Sequence, residues 1–287
     1  MERKLSLPKN KLKAKISVII LAAGEGTRIS DFIQNIPKPM IKVNDKPLLM
    51  HIITNLTSPE ISSINIITGH LGNEIKKFIL SLKKINTTLY EKIAIIDSGE
   101  DYKKGSLYSF LSIMNKPILE KDKFFLVIPG DTYFEPDLFT EIFNKIQKDL
   151  KIIENYSVIL YQNIQGIELK SNLNSKRRIS IVTIEKFKSK EILKDITQKT
   201  INGISDNEEV NQILPVFIFN YELIKRIIEV EKDVSATTIR EIINHLIQKE
   251  NYTIFAYPIS SGYTFIDVDT KSDLKTLQKK EDNRGSD

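Results

Sequence analysis

The chain has 287 residues, 41% of them hydrophobic and 28% charged, enough for one large α/β domain or two small ones. With no cysteine it has no disulfide, thiolate metal site or cysteine nucleophile. No apolar run approaches the ~20 residues that cross a bilayer, and the opening MERKLSLPKNKLKAK lacks the apolar centre of a secretory signal, so a cytoplasmic protein with no membrane span is expected. The net charge of +5 is mild at this length, and much of it comes from Arg3, Lys4, Lys9, Lys11, Lys13 and Lys15. Residues 1–15 read as a solvated basic tail rather than a nucleic-acid-binding arm, and 281–287 as a second tail.

From Ile16 to Ser98, apolar runs rich in Ile and Val alternate with amphipathic segments. ISVIILA reads as a buried strand, PLLMHIITNLTS as a helix, SINIITG as a second strand, NEIKKFILSLKK as a helix and KIAIID as a third strand. SLYSFLSIMN then fits a helix, FFLVIPGD a further central strand, and PDLFTEIFNKIQKDL a helix. Continuous apolar strands separated by helices imply a parallel sheet covered on both faces, a doubly wound α/β pattern. Past Tyr156 the texture changes. YSVILYQN, RRISIVTIEKF and NQILPVFIFN read as strands, with a polar, Asn- and Lys-rich stretch around Leu169–Arg178. Helices return at YELIKRIIEVE and TTIREIINHLIQK; a last strand pair, YTIFAYPI and YTFIDVD, precedes a closing helix at KSDLKTLQKK. The expected organisation is one domain over 16–280, with a first half to about 150 and a substrate-facing half from about 151.

In an open α/β sheet, ligands bind beyond the carboxyl ends of the strands, and AAGEGTR occupies that end of the first strand. Ala22, Ala23, Gly24 and Gly26 remove side-chain bulk, so backbone N–H groups can approach a polyanion. Arg28 adds a fork-shaped cation matched to phosphate oxygens. Lys38, between Pro37 and Pro39, has a stiffened backbone and loses less entropy on engaging a ligand. A dinucleotide fingerprint fails because Ile29 stands where its third glycine belongs, and there is no Gly-Lys-Ser/Thr run for a Walker loop. A plain strand-to-helix turn explains the glycines but not the lysine between prolines or the adjacent alanines.

LAAGEGTR followed by PKPM resembles the signature of the nucleotidyltransferases that make NDP-sugars and NDP-alcohols. IITGHLGNEI is similar to that family's second strand and helix, KGSLYSFL to its nucleobase segment, VIPGDTYF to its metal-binding strand end and FIDVDTKSDL to its closing segment. The likeness covers roughly Ile16 to Gln278 and is strongest in the first half. It implies a Rossmann-like, GT-A-type (MobA-like) fold: a doubly wound, mostly parallel sheet with a smaller substrate-facing β half. It also implies the reaction, attack by an acceptor's phosphate oxygen on the α-phosphorus of an NTP with release of pyrophosphate. The implied cofactor is Mg²⁺; the implied partners are an NTP and a phosphorylated small molecule, with no nucleic acid.

Carried over by position, Leu21, Ala22, Ala23, Gly24, Gly26 and Thr27 would bind the nucleotide. Arg28 would hold the β/γ-phosphates and Lys38 the transferring α-phosphate. Gly105 and Ser106 would line the base pocket, and Lys199 in EILKDITQK would meet the acceptor phosphate. For the metal, Asp131 ends one apolar strand run, while Asp267 and Asp269 end another and share a face by strand alternation. Mg²⁺ takes carboxylate, phosphate and water oxygens. Asp131 with Asp267 is the favoured pair, because DTKSDL looks like a helix start with Asp269 as its cap. His51, His70 and His245 read as structural. That suits the implied chemistry: a phosphomonoester, with its second pKa near ~6, is already ionised at neutral pH and needs no general base.

Where the family reads N-x-G-x-Y against the acceptor, this chain has EVNQILPVFIF, with Pro215 near the glycine's place, which leaves the acceptor open. GSLYS and DVDT look more like the cytidylyltransferases acting on alcohol phosphates, of the phosphocholine or inositol-phosphate type, so CTP is favoured. The alternatives are a hexose-1-phosphate uridylyl-, guanylyl- or thymidylyltransferase, and a non-catalytic nucleotide-binding subunit on the same fold. Such subunits often lose the arginine, the lysine or the metal aspartate, and all three are present here. A glycosyltransferase of similar topology normally places one D-x-D in mid-chain, where this chain has GDTY.

Overall fold

The computed structural model of the protein describes residues 15–284 apart from positions 28, 30–34, 57, 115, 122 and 174. β1 (Lys15–Ala22) is followed, past the glycine-containing loop, by a 3-10 turn (Lys38–Met40) and the small hairpin of β2 (Lys42–Val43) and β3 (Lys46–Pro47). Then come α1 (Leu48–Asn55), β4 (Ile61–Thr68), α2 (Gly72–Ile85), α3 (Thr87–Glu91) and β5 (Ile93–Asp97). α4 (Ser106–Leu111), β6 (Lys123–Pro129), β7 (Thr132–Phe134), α5 (Pro136–Lys148) and α6 (Leu150–Ile153) complete the first half. The second half begins with β8 (Val158–Gln165), α7 (Gly166–Asn172), β9 (Arg178–Phe187), β10 (Lys190–Thr200) and β11 (Glu209–Phe219). It ends with α8 (Tyr221–Val230), α9 (Ile239–Glu250), β12 (Phe255–Pro258), β13 (Phe265–Asp267) and α10 (Lys271–Arg284).

A 9-stranded sheet in the order β5-β4-β1-β6-β11-β8-β12-β10-β9 spans both halves. β5, β4, β1 and β6 are parallel neighbours. β11 enters antiparallel to both β6 and β8, β12 runs parallel to β8, and β10 and β9 return antiparallel at the edge. The parallel arrangement legible in the sequence therefore belongs to the first half, and the second half is chiefly antiparallel.

Position in the sheet explains the residue pattern of β1. It lies between β4 and β6 with helices on both faces, so Ile16 to Ile20 are all buried. Alternation sends Ile16, Val18 and Ile20 into a core shared with α1, α2 and α5, and Ile19 into a second core under α4, α8 and α9. The helices carry matching stripes: α2 buries Ile75, Ile79 and Leu82, and α9 buries Ile239, Ile242, Ile243 and Leu246. Each such side chain contributes about 1.5–3 kcal/mol relative to staying exposed. α9 opens on a capping box, in which Glu241 N–H donates to Thr238 Oγ1 and Thr238 N–H donates to the Glu241 carboxylate.

A third apolar cluster contains Ile41, Val43, Leu48, Tyr133, Ile266, Val268 and Leu274, and ties β2, α1, β7, β13 and α10 together. Within FIDVD it claims Ile266 and Val268, which leaves Asp267 and Asp269 to face a crevice.

Three expectations change, and one segment that had no assigned element becomes a strand. α7 occupies the first part of the stretch read as polar connection. EILKDITQK forms β10, a strand without an apolar run to mark it, since only Leu193 and Ile196 among its residues are buried. YTIFAYPI and YTFIDVD do not pair with each other: β12 sits between β8 and β10, and β13 pairs with β7. The tail expected at 281–287 begins in helix, because α10 continues to Arg284. The basic tail up to residue 14 lies outside the described residues. Among the described residues, no helix is long and apolar enough to cross a membrane.

Candidate active site

β1 and β6 end side by side, with Leu21 in register with Pro129. Gly130 N–H donates to the Leu21 carbonyl at 2.8 Å, and His70 N–H to the Ala23 carbonyl at 3.0 Å. These bonds gather the loop after β1, the turn carrying Asp131 after β6 and the turn after β4. Ala22 and Ala23 are buried, whereas Gly24 and Thr27 are exposed. No atom lies within 4 Å of the place a Gly24 Cβ would occupy, so a ligand has room to approach the backbone there. Arg28 lies outside the described residues.

Lys38 is the point where three segments meet. Its backbone is set by the 3-10 turn, in which Met40 N–H donates to the Pro37 carbonyl at 2.8 Å. Its side chain is only 8% exposed, and Nζ donates to Asp269 Oδ1 at 2.5 Å and to Asp131 Oδ2 at 3.3 Å. Gly26 lets the lysine stem pass. Its φ of +66° is one that side-chain-bearing residues rarely adopt, and a Cβ there would stand 2.7 Å from Lys38 Cγ. The two loop glycines thus have different duties: Gly24 leaves space for a ligand, and Gly26 leaves space for Lys38.

Burial works to lower the pKa of the Lys38 ammonium, but the Asp131 and Asp269 carboxylates more than offset it, so the pKa lies above its ordinary value. Asp131 is raised above the usual carboxylate range. Burial is the main cause, Lys38 opposes it, and the nearby Asp267 and Asp269 charges add to it. The Lys38 ammonium is shared between Asp131 and Asp269, while Asp267 has Arg177 as its partner.

Asp267 stands opposite Thr132 in the β13–β7 pair. Thr132 Oγ1 donates to its Oδ1 at 2.5 Å, and Arg177 donates to its Oδ2 at 3.1 Å. The same guanidinium reaches Asp273 Oδ1 at 2.9 Å. Asp273 in turn accepts from the Thr270 N–H at 2.8 Å while Thr270 Oγ1 accepts from the Asp273 N–H at 3.2 Å, a reciprocal cap for α10. The cap expected at Asp269 is thus made by Thr270 and Asp273, and Asp269 turns to Lys38 instead. Sequence reasoning missed Arg177, Asp273 and Thr132. The one available signal was the Lys-Arg-Arg run at 176–178, just ahead of a strand.

Gly105 has φ +124°, and a Cβ on it would fall 2.2 Å from the Thr237 carbonyl oxygen. That same carbonyl accepts from Leu107 N–H at 3.0 Å, so the Gly105–Ser106 segment docks against the start of α9. Ser106 shares an apolar cavity of about 250 Å³ with Leu21, Pro129 and Phe217. A larger, polar cavity of about 770 Å³ adjoins it, with Pro215 and Arg240 lining both. Asp267 and Asp269 face this larger space, as do side chains from β9, β10 and β11. Pro215 sits where the β11–β8 register shifts between Ile213 and Phe217, a bulge suited to a residue that has no N–H to give. Lys199 is not brought to the crevice: its Nζ pairs with Glu208 at 2.7 Å, and strand alternation presents the neighbouring Gln198 to the cavity. His51 Nε2 lies 3.0 Å from the Val43 carbonyl, and the His70 ring packs beside Tyr102.

Residues 18–251 match the MobA-like NTP transferase domain. The bifunctional protein GlmU of Methanocaldococcus jannaschii is 30% identical over 205 residues, which are 69% of this chain and 46% of that protein. The chain spans less than half the length of the curated relatives it matches. A UDP-glucose pyrophosphorylase solved in complex with UDP-glucose superposes with a TM-score of 0.69 at 16% identity, over 94% of this chain and 99% of that one. CTP:phosphocholine cytidylyltransferase from Streptococcus pneumoniae (LicC) superposes with a TM-score of 0.60 at 19% identity, over 93% and 99%. At these identities the structural likeness establishes the fold.

Proposed function

The chain belongs to the MobA-like NTP transferase family, and from that premise we propose that it transfers the NMP of an NTP to the phosphate of a small phosphorylated alcohol or sugar, releasing pyrophosphate. The observation that carries this reading is Lys38, buried between Asp131 and Asp269 at the mouth of the loop after β1. An acceptor phosphate oxygen forms a bond to the α-phosphorus. The bond from that phosphorus to the oxygen bridging to the β-phosphorus breaks, and the oxygen leaves with the electron pair as pyrophosphate. No side chain has to remove a proton, because the phosphomonoester, with a second pKa near ~6, is already ionised. The protein's task is to align two anions and neutralise their charge.

In this reading Lys38 meets the α-phosphate and Arg28 the β/γ-phosphates, while the backbone from Ala22 to Thr27 cradles the chain of phosphates. Leu21 and Ser106 border the apolar cavity that receives the base, and Gly105, the neighbour of Ser106, sets the approach of that segment to Thr237. Asp131 and Asp267 would hold Mg²⁺, which when bound supplies positive charge at the phosphate oxygens. The donor set fits in kind, because it is all hard oxygen. Each oxygen of Asp267 accepts one hydrogen bond and keeps a further lone pair. Among the described residues no three His, Cys, Asp or Glu side chains are grouped to hold a metal; in this reading the cation would draw the rest of its oxygens from phosphates and water.

The GSLYS and DVDT segments favour CTP as donor and an alcohol phosphate, of the phosphocholine or inositol-phosphate type, as acceptor. The test is pyrophosphate release with Mg²⁺, crossing the common NTPs with phosphorylated sugars, polyols, amino-alcohols and hydroxy acids. The expected result is release with one NTP, and only when one class of acceptor is present. Binding of Mg²⁺–NTP without release in any combination contradicts the reading and favours a non-catalytic nucleotide-binding subunit.

A further inference from the structure

The larger cavity carries more positive charge than the reaction as described uses. Of its arginines, Arg177 is neutralised by Asp267 and Asp273. Arg178 and Arg240 also line it, and neither forms an ion pair with a described carboxylate. Arg240 is half-buried and donates to Ser180 Oγ at 3.4 Å. Arg178 and Ser180 stand two apart on β9 and so share a face, and Ser180 is in register with Gln198 of β10. Gln212 of β11 is 6% exposed, and its Oε1 accepts from Gln162 Nε2 at 3.2 Å, so the group it has left to offer a ligand is its NH₂. Beside Asp267, Asp269 and Asp273 at one end, the lining therefore holds two guanidinium groups without an ion pair to a described carboxylate, Arg240 half-buried and Arg178 exposed, together with neutral donors. Among the described residues, its one aromatic side chain is Phe265.

Resting on the nucleotidyltransferase reading, we propose that the acceptor is a phosphorylated hydroxy acid: besides the attacking phosphate it carries a carboxylate, which Arg178 and Arg240 receive. The planar fork of a guanidinium matches a carboxylate in a bidentate, charge-assisted pair. A quaternary ammonium headgroup is the wrong ligand twice over. It would face two unpaired cations, and a single ring is far from the aromatic enclosure that such groups seek. A neutral polyol would leave both guanidinium charges unmet. Of the alcohol phosphates considered above, the phosphocholine and inositol-phosphate types are both set aside by this proposal in favour of an acid.

The matched probes are 3-phosphoglycerate and glycerol 3-phosphate, which differ only by a carboxylate in place of a hydroxymethyl group, with phosphocholine as the cationic contrast. For the full chain with Mg²⁺ and its preferred NTP, both kcat/KM and calorimetric affinity should favour 3-phosphoglycerate by at least about tenfold, with phosphocholine poorest. Arg178→Gln and Arg240→Gln, each checked for a native circular dichroism spectrum, should erase most of that preference. They should raise KM for 3-phosphoglycerate about tenfold and move glycerol 3-phosphate by less than about threefold. Equal or better use of glycerol 3-phosphate or phosphocholine overturns the proposal. So does an equal loss for all acceptors in the two variants, which would mean that the arginines hold the attacking phosphate alone, and so does binding of none of the three. Selective, arginine-dependent binding of 3-phosphoglycerate without pyrophosphate release would support the acid site while contradicting the transferase reading.

Discussion

On the parallel side of the sheet, each part of the crevice lies within a few residues of a strand end; on the antiparallel side the parts come from three strands and a helix. Ala23 to Thr27 directly follow β1, and Asp131 stands two residues past the end of β6. Arg178, Gln198, Gln212 and Arg240 meet only because β9, β10 and β11 pair in one register under α9. The first kind of site is local, so a short motif carries it. The second depends on pairing, where a slip of one residue exchanges the inward and outward side chains.

The sharpest way to break this comparison is at Lys38, which is local in backbone yet joins Asp131 to Asp269 across the fold. Lys38→Ala should lower pyrophosphate release about 100- to 1,000-fold, the scale of losing one preorganised charge stabiliser. A loss of less than about tenfold would make the lysine structural. Next come the glycines. Gly105→Ala combines a positive φ with a clash against Thr237, and should cost roughly 2–3 kcal/mol in chemical denaturation. Gly24→Ala has open space and should leave stability within about 0.5 kcal/mol while weakening NTP binding. Equal stability losses at the two positions would show that Gly24 is a folding residue rather than a ligand contact.

Asp131 sharpens the comparison through pH. Its folded pKa lies above the ordinary value, with burial as the main cause. The stability tied to its protonated form is therefore complete below the unfolded pKa of about 3.9 and is lost as pH rises through the folded value. In metal-free protein, Asp131→Asn should melt at or above the wild-type temperature at pH 7, with the advantage vanishing near pH 3, while transfer is abolished. A lower melting temperature at pH 7 would instead make the Lys38 pair a net stabiliser. The smallest effect belongs to Lys199. Lys199→Ala removes an exposed ion pair and should change stability by less than about 1 kcal/mol with acceptor KM unmoved, whereas Gln198→Ala should raise that KM about threefold. The reverse order would restore Lys199 to the acceptor site.

The same contrast explains what was legible beforehand. The strand and helix order of the first half followed from continuous apolar runs in ISVIILA and FFLVIPGD and from the stripes of α2 and α5, because those strands are covered on both faces. Asp131 and Asp267 stood out because each ends such a run. β10 gave no comparable signal: it pairs along most of its length with the ribbon strand β9, only Leu193 and Ile196 are buried in the core beside α9, and its hairpin turns through Lys188 at φ 56° without a glycine or an Asn-Gly pair. Asp269 was misread as a cap because Thr270 and Asp273 supply the same chemistry one and four residues later. Arg240 was invisible and Arg177 had only the Lys-Arg-Arg run to mark it, since surface arginines are common and their shared cavity exists only after β9, β11 and α9 have come together.

The most direct test of the central claim follows the α-phosphorus itself. With NTP labelled at the α-phosphate, Mg²⁺ and the acceptor that supports the fastest release, the label should pass to the acceptor product at the rate at which pyrophosphate appears, and both rates should collapse in Lys38→Ala. Label recovered as free NMP, or pyrophosphate released at the same rate without acceptor, would mean that water is the nucleophile and would contradict transfer.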